Sequence, residues 1–131
     1  MATPKNSRLP TGAELAILRI LWDQGPSTVR EVHRTLNRGR SCGGYTTALK
    51  LLQIMTTKGL VARDESRRPQ VYRPSSPRER TERRLVRDLL DRAFGGSAKR
   101  LVMQALAVKK ASAEELEQIE GLLEKLERGG Q

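Results

Sequence analysis

The sequence predicts a mainly α-helical chain with one small β hairpin, in two halves of different character. Three observations carry this. Capping signatures recur at Thr11–Glu14, Thr28–Glu31, Ser76–Glu79 and Ser112–Glu115. Each marks a helix start, because the hydroxyl and the carboxylate satisfy amides that have no partner in the first turn. Two short β-type runs, Leu60–Arg63 and Gln70–Arg73, flank the polar turn Asp64–Pro69. The charge is uneven: residues 1–76 hold 13 basic and 5 acidic side chains, net +8, and residues 77–131 hold 12 and 10, net +2.

A chain of 131 residues is one domain, or one small domain with an oligomerisation appendage. Its core is modest, so burial shared with a second copy helps. Cys42 is the only cysteine, which excludes an intrachain disulfide. The lone His33 has no neighbouring cysteines, so no metal and no cofactor is expected. No apolar run approaches the roughly 20 residues of a membrane span. The start, MATPKNSRLP, lacks the apolar core of a signal peptide. A cytoplasmic protein with no membrane partner is expected. No phosphate-cradling loop and no Ser/His/Asp set stands out, so an enzyme is not expected. A basic excess confined to one half points to nucleic acid or an anionic surface.

Residues 1–10 carry two prolines and read as a loose arm. The first helix opens at Thr11, with Leu15, Leu18, Leu21 and Trp22 as its apolar stripe, and ends at Gly25-Pro26. Trp22 reads as a core anchor. The second helix turns Val29, Val32 and Leu36 inward and leaves Arg30 and Arg34 outside. Arg30 suits a phosphate; Arg34 reads as solvated surface. A basic, Gly-rich connection, Asn37 to Gly44, leads to the next helix, and its Arg38 and Arg40 suit a phosphate too.

The stretch Gly43 to Val61 reads as one helix stopped at Gly59. Ala48, Leu51, Leu52 and Met55 share one face. Thr46, Thr47, Lys50, Gln53 and Thr57 fall mostly on the other, which has hydroxyls, an amide and a cation but no carboxylate. A helix facing only water usually mixes acids with bases. One lying against phosphates and base edges cannot keep acids there. The hairpin follows, with Arg67 and Arg68 at its tip and Asp64 and Glu65 at its base. Two short helices, a turn, a Thr-faced helix and a basic hairpin together describe a winged helix-turn-helix that binds DNA.

The second half holds three further apolar helices. The first carries Leu85, Val86, Leu89, Leu90 and Ala93; the second, capped by Ser97, carries Leu101, Val102, Ala105 and Leu106. The last carries Leu116, Ile119, Leu122, Leu123 and Leu126, a seam barely two heptads long. Helices this short are marginal alone. Pairing with a second copy is the economical solution, because two reading heads then match a two-fold DNA site. The expected dimerisation set is Leu85, Leu89, Leu101, Val102, Leu106, Leu116, Ile119, Leu122, Leu123 and Leu126.

With the segments ILRILWDQGPSTVREVHRTL, YTTALKLLQIMTTKGLV, VYRPSSPRE, LVRDLLDRAFGGS and LVMQAL in order, the sequence resembles the penicillinase-repressor (BlaI/MecI) family of bacterial regulators. The resemblance spans about residues 9 to 127. It implies a dimeric repressor on an inverted-repeat operator, with a C-terminal three-helix dimerisation region. It carries the reading helix onto Tyr45, Thr46, Thr47 and Lys50, and the wing onto Arg67 and Arg68. In antibiotic-responsive members a membrane sensor protease triggers cleavage at an Asn-Phe bond. The corresponding pair here is Gln104-Ala105, which counts against induction by cleavage at that bond. The cysteine cluster of copper-responsive relatives is absent. Ile54 stands where members often have a basic residue, a departure expected to alter operator preference.

The resulting expectation is a winged-helix DNA-binding domain at residues 1–76 and a helical dimerisation domain at 77–131. Lys50, Arg30, Arg40, Arg67 and Arg68 contact phosphates, and Thr46 and Thr47 face the groove of double-stranded DNA. The alternatives are a ligand-gated winged-helix sensor, a sequence-indifferent architectural DNA binder and a protein–protein adaptor.

Overall fold

The computed structural model describes residues 9–39 and 44–129. The elements run α1 (Gly12–Gln24), α2 (Val29–Gly39), α3 (Tyr45–Lys58), β1 (Val61–Asp64), β2 (Val71–Pro74), α4 (Arg78–Ala93), α5 (Ala98–Val108) and α6 (Ala113–Gly129). The chain divides into two compact units, Met1–Asp88 and Leu89–Gln131. Among the described residues no helix is long and apolar enough to cross a membrane. Of the expected arm, residues 1–8 lie outside the described residues; Leu9 and Pro10 are half-buried.

Three of the four capping boxes form. The Glu14 amide donates to Thr11 Oγ1 at 3.2 Å, and the Thr11 amide donates to Glu14 Oε1 at 2.9 Å. Thr28 with Glu31 and Ser112 with Glu115 repeat the reciprocal pair. Ser76 and Glu79 do not. The Ser76 backbone is instead drawn onto α1, where its carbonyl accepts from Trp22 Nε1 at 3.1 Å. The amides of Arg80 and Thr81 donate to the Pro77 carbonyl, so α4 starts one residue later than the box requires. At the end of α3, Gly59 takes the left-handed conformation (φ 81°) that side-chain-bearing residues avoid. Its amide and that of Leu60 then close on the last carbonyls of the helix.

In the first unit α1, α2 and α3 pack around one core with the hairpin. Ile17, Leu18 and Leu21 from α1 meet Val29 and Val32 from α2, Ala48, Leu52 and Met55 from α3, Val61 from β1 and Tyr72 from β2. The α1 stripe is centred on Ile17, Leu18 and Leu21; Leu15 and Trp22 are half-buried at its margins. Trp22 thus anchors the chain between β2 and α4 rather than the middle of the core. The Arg78 guanidinium lies 5.7 Å from its ring centre and pairs with Asp23.

The hairpin is antiparallel, with Val61 opposite Pro74 and Asp64 opposite Val71. Both strands sit one residue later than the apolar runs predict. A third edge comes from the α1–α2 turn: Ser27 and Tyr72 exchange backbone hydrogen bonds of 3.0 and 2.8 Å. That bridge fixes the base of the wing against the start of α2.

In the second unit, α5 is capped by Ser97 Oγ, which accepts from the Arg100 amide at 3.2 Å. No described residue of Leu89–Gln131 is buried. Val102, Met103 and Leu106 on α5 and Leu116, Leu122, Leu123 and Leu126 on α6 are all exposed.

Candidate nucleic-acid interface

Helix α3 turns Ala48, Leu52 and Met55 into the core, so the opposite face has to meet solvent or a partner. Tyr45, Thr46, Thr47, Lys50, Gln53, Ile54 and Thr57 are exposed there, and the helix contains no acidic residue. The Thr57 hydroxyl donates to its own helix at the Gln53 carbonyl, 3.2 Å away. The side chains of Thr46, Thr47 and Lys50 have no hydrogen-bond or ion-pair partner among the described residues. They present unengaged polar groups from the first turns of the helix, where the dipole also favours an anion.

Arg30 projects from the first turn of α2. It lines an open groove of about 490 Å³ together with Tyr45 and Leu49 of α3 and Pro69, Gln70 and Tyr72 of the wing. The Ser27–Tyr72 bridge explains the juxtaposition, since it holds the start of α2 beside the hairpin. Tyr45 rests edge-on against His33, with ring centres 6.2 Å apart. His33 also bonds Asn37 at 2.9 Å, so it is a packed edge histidine. Arg40 and Cys42 lie outside the described residues.

At the wing tip Asp64 organises the turn. Its carboxylate accepts from the Ser66 hydroxyl (2.5 Å) and the Ser66 amide (3.0 Å). Those hydrogen bonds, with the nearby Arg67 and Arg73 charges, hold its pKa below the usual carboxylate value. Arg67 Nε lies 3.6 Å from Asp64, and Arg63 pairs with Glu65 at 2.9 Å. Arg68 is exposed and unpaired among the described residues. The two wing arginines are therefore not equivalent: one has a carboxylate already beside it.

The orientation of α3 rests on a contact that no local pattern announces. Lys58, in its last turn, donates to Glu14 at the start of α1 over 2.7 Å. Glu14 is 3% exposed. Burial alone would raise its pKa; the Lys58 hydrogen bond, the Thr11 amide and the Lys58 charge outweigh that and bring it below the ordinary value. A buried carboxylate is tolerated here because it is both paired and hydrogen-bonded.

Gln104 and Ala105 lie in mid-α5, exposed, within hydrogen-bonded helix. Of the expected dimerisation residues, Leu89, Val102, Leu106, Leu116, Leu122, Leu123 and Leu126 are exposed, and Leu85, Leu101 and Ile119 half-buried. Among the described residues no group of histidine, cysteine and carboxylate side chains is placed to hold a metal.

Comparison with known proteins agrees with this geometry. Residues 10–125 match the family described as Penicillinase repressor. The chain is 30% identical over 117 residues to the "Transcriptional regulator BlaI" of Mycobacterium tuberculosis strain CDC 1551 / Oshkosh, covering 88% of this chain and 83% of that protein. The regulator of the same name from strain ATCC 25618 / H37Rv matches equally. Among solved structures, a MarR family protein from Bacillus stearothermophilus superposes with a TM-score of 0.51 at 24% identity, covering 95% of this chain and 79% of that one. That likeness speaks for the winged-helix fold alone. With the wing, the acid-free helix and these matches together, the chain belongs to the penicillinase repressor family, whose members are transcriptional regulators and not enzymes.

Proposed function

We propose that the chain represses transcription by binding an inverted-repeat operator as a homodimer. One observation carries this: an exposed, acid-free face of α3, set in a half of the chain with net charge +8. In this reading Thr46 and Thr47 enter the major groove, with Tyr45 at its margin. Lys50, Arg30, Arg40, Arg67 and Arg68 neutralise phosphates. The groove between α2, α3 and the wing takes the DNA backbone past Arg30.

The helices of Leu89–Gln131 supply the two-fold. None of their described residues is buried in one chain, and on α6 Leu116, Ile119, Leu123 and Leu126 recur as a seam at spacings of three, four and three. A second copy covers that seam and sets the spacing of the two heads.

Fluorescence anisotropy with a labelled duplex from the promoter of its own transcription unit tests the reading. If each of the five basic side chains per protomer neutralises one phosphate, log Kd against log salt has a slope of up to about 9 for the dimer. A flat salt response, or equal affinity for a scrambled duplex, refutes the proposal.

A further inference from the structure

Within described residues 9–77 two large apolar side chains are exposed, Tyr45 (46%) and Ile54 (41%), and both lie on α3. Tyr45 has neighbours: the His33 ring edge and the groove beside the wing. Ile54 is different. Leu49 and Leu51 of the same helix pack against the core, and Ile54 does not. It lies four residues after Lys50, seven after Thr47 and three before Thr57, so it shares their exposed face. A β-branched apolar residue is a poor choice for a helix face that meets only water, on grounds of both hydration and helix propensity.

The major groove offers such a side chain one complement. Among the base edges there, only thymine presents an apolar group, its 5-methyl. Isoleucine has no donor or acceptor and cannot hold a phosphate, so a contact it makes with a base edge depends on sequence. We propose that Ile54 is a specificity-determining residue that packs on a thymine methyl of the operator. This rests on the DNA-binding reading above. It divides the labour on one face: Lys50 binds any duplex, and Ile54 selects among them.

The test removes the methyl from the DNA and the side chain from the protein. Duplexes are enriched from a randomised pool with the full-length wild-type chain. Each thymine of the enriched site is then replaced by uracil, and Kd is measured for wild type, Ile54→Ala and Thr47→Ser. Ala is favoured in an exposed helix, so Ile54→Ala retains its fold, checked by its melting temperature. At one thymine per half-site, losing the methyl weakens wild-type binding about fourfold, as expected for one buried methyl. Ile54→Ala is indifferent to that replacement, while Thr47→Ser keeps the sensitivity. The inference is overturned if uracil weakens both proteins alike, if Ile54→Ala binds as wild type does, or if it loses affinity equally on every duplex. A wild-type chain that enriches no duplex defeats the DNA-binding reading itself. Enriched duplexes that are indifferent to uracil defeat only the role of Ile54.

Discussion

In the winged unit ten apolar side chains from five elements are buried together, whereas in Leu89–Gln131 no described residue is buried at all. Both regions are rich in leucine, so leucine content does not separate them. The difference lies in where partners come from. Leu52 meets its partners within the unit. Leu122, Leu123 and Leu126 are more than half exposed, although most helical stability in proteins comes from packing an apolar face. The first region has a core of its own; if the second pairs with another copy, as proposed above, its stability depends on concentration.

The sharpest way to break this comparison is to charge the seam. Leu123→Asp places a carboxylate where the second copy is expected to pack. Sedimentation equilibrium is expected to show a dimer for wild type and a monomer for the variant. Affinity for a duplex with two half-sites then falls about a thousandfold, because the second head no longer arrives at high effective concentration. A variant that stays dimeric, or a wild type that is monomeric at micromolar concentration, removes the basis for pairing.

Truncation inside each region comes next. Leu52 is fully buried between the helices of the winged unit, and Leu52→Ala is expected to cost about 3 kcal/mol in urea denaturation. Leu122→Ala made in the monomeric Leu123→Asp background is expected to cost under about 0.5 kcal/mol, as for an exposed side chain. Equal costs would mean that the second region has a core of its own.

How much of this was legible in the sequence follows from how local each signal is. The boxes at Thr11, Thr28 and Ser112 are local, involve residues three apart, and form as read. The Ser76 box has the same spelling and does not form: α4 starts at Arg78, so Pro77 and not Ser76 stands just before the helix, and Glu79 falls one place short of the third helical position. The polar face of α3 follows from helical periodicity. The groove beside it does not, since it needs Ser27 to bridge to Tyr72 across the fold. Glu14 was readable as a capping residue, and that reading concealed its second role. Nothing local in the sequence pairs it with Lys58, 44 residues on.

Glu14 sharpens the comparison further, because it ties the end of α3 to the start of α1 in the unit that has a core. Glu14→Gln keeps a side chain able to complete the Thr11 box but removes the charge facing Lys58. A loss of about 2 kcal/mol is expected at pH 7, the scale of a hydrogen bond to a charged group. The folded pKa of Glu14 lies below its ordinary value of 4.5. Its contribution is therefore present above the unfolded pKa and is lost as pH falls through the folded one. The stability difference between wild type and Glu14→Gln should hold from neutral pH down to about 5 and close below that. A difference that stays constant into acid assigns the effect to shape rather than charge.

The smallest expected effects lie at the wing tip, where two adjacent arginines differ only in a neighbour. Arg68 is unpaired among the described residues, so a phosphate gains it without competition. Arg68→Ala is expected to weaken binding a few-fold on every duplex and to lower the salt slope by about 0.9. Arg67 lies 3.6 Å from Asp64, whose depressed pKa keeps it ionised at neutral pH. A phosphate has to compete with that carboxylate, so Arg67→Ala is expected to change the slope by less than Arg68→Ala does. Asp64→Asn should reverse the ranking in part. The amide still accepts from Ser66, the competing charge is gone, and anisotropy should register a modest gain in affinity that disappears when Arg67→Ala is added. If Asp64→Asn strengthens binding equally with and without Arg67, the carboxylate acts by repelling DNA directly, and the pairing at the tip has no part in it.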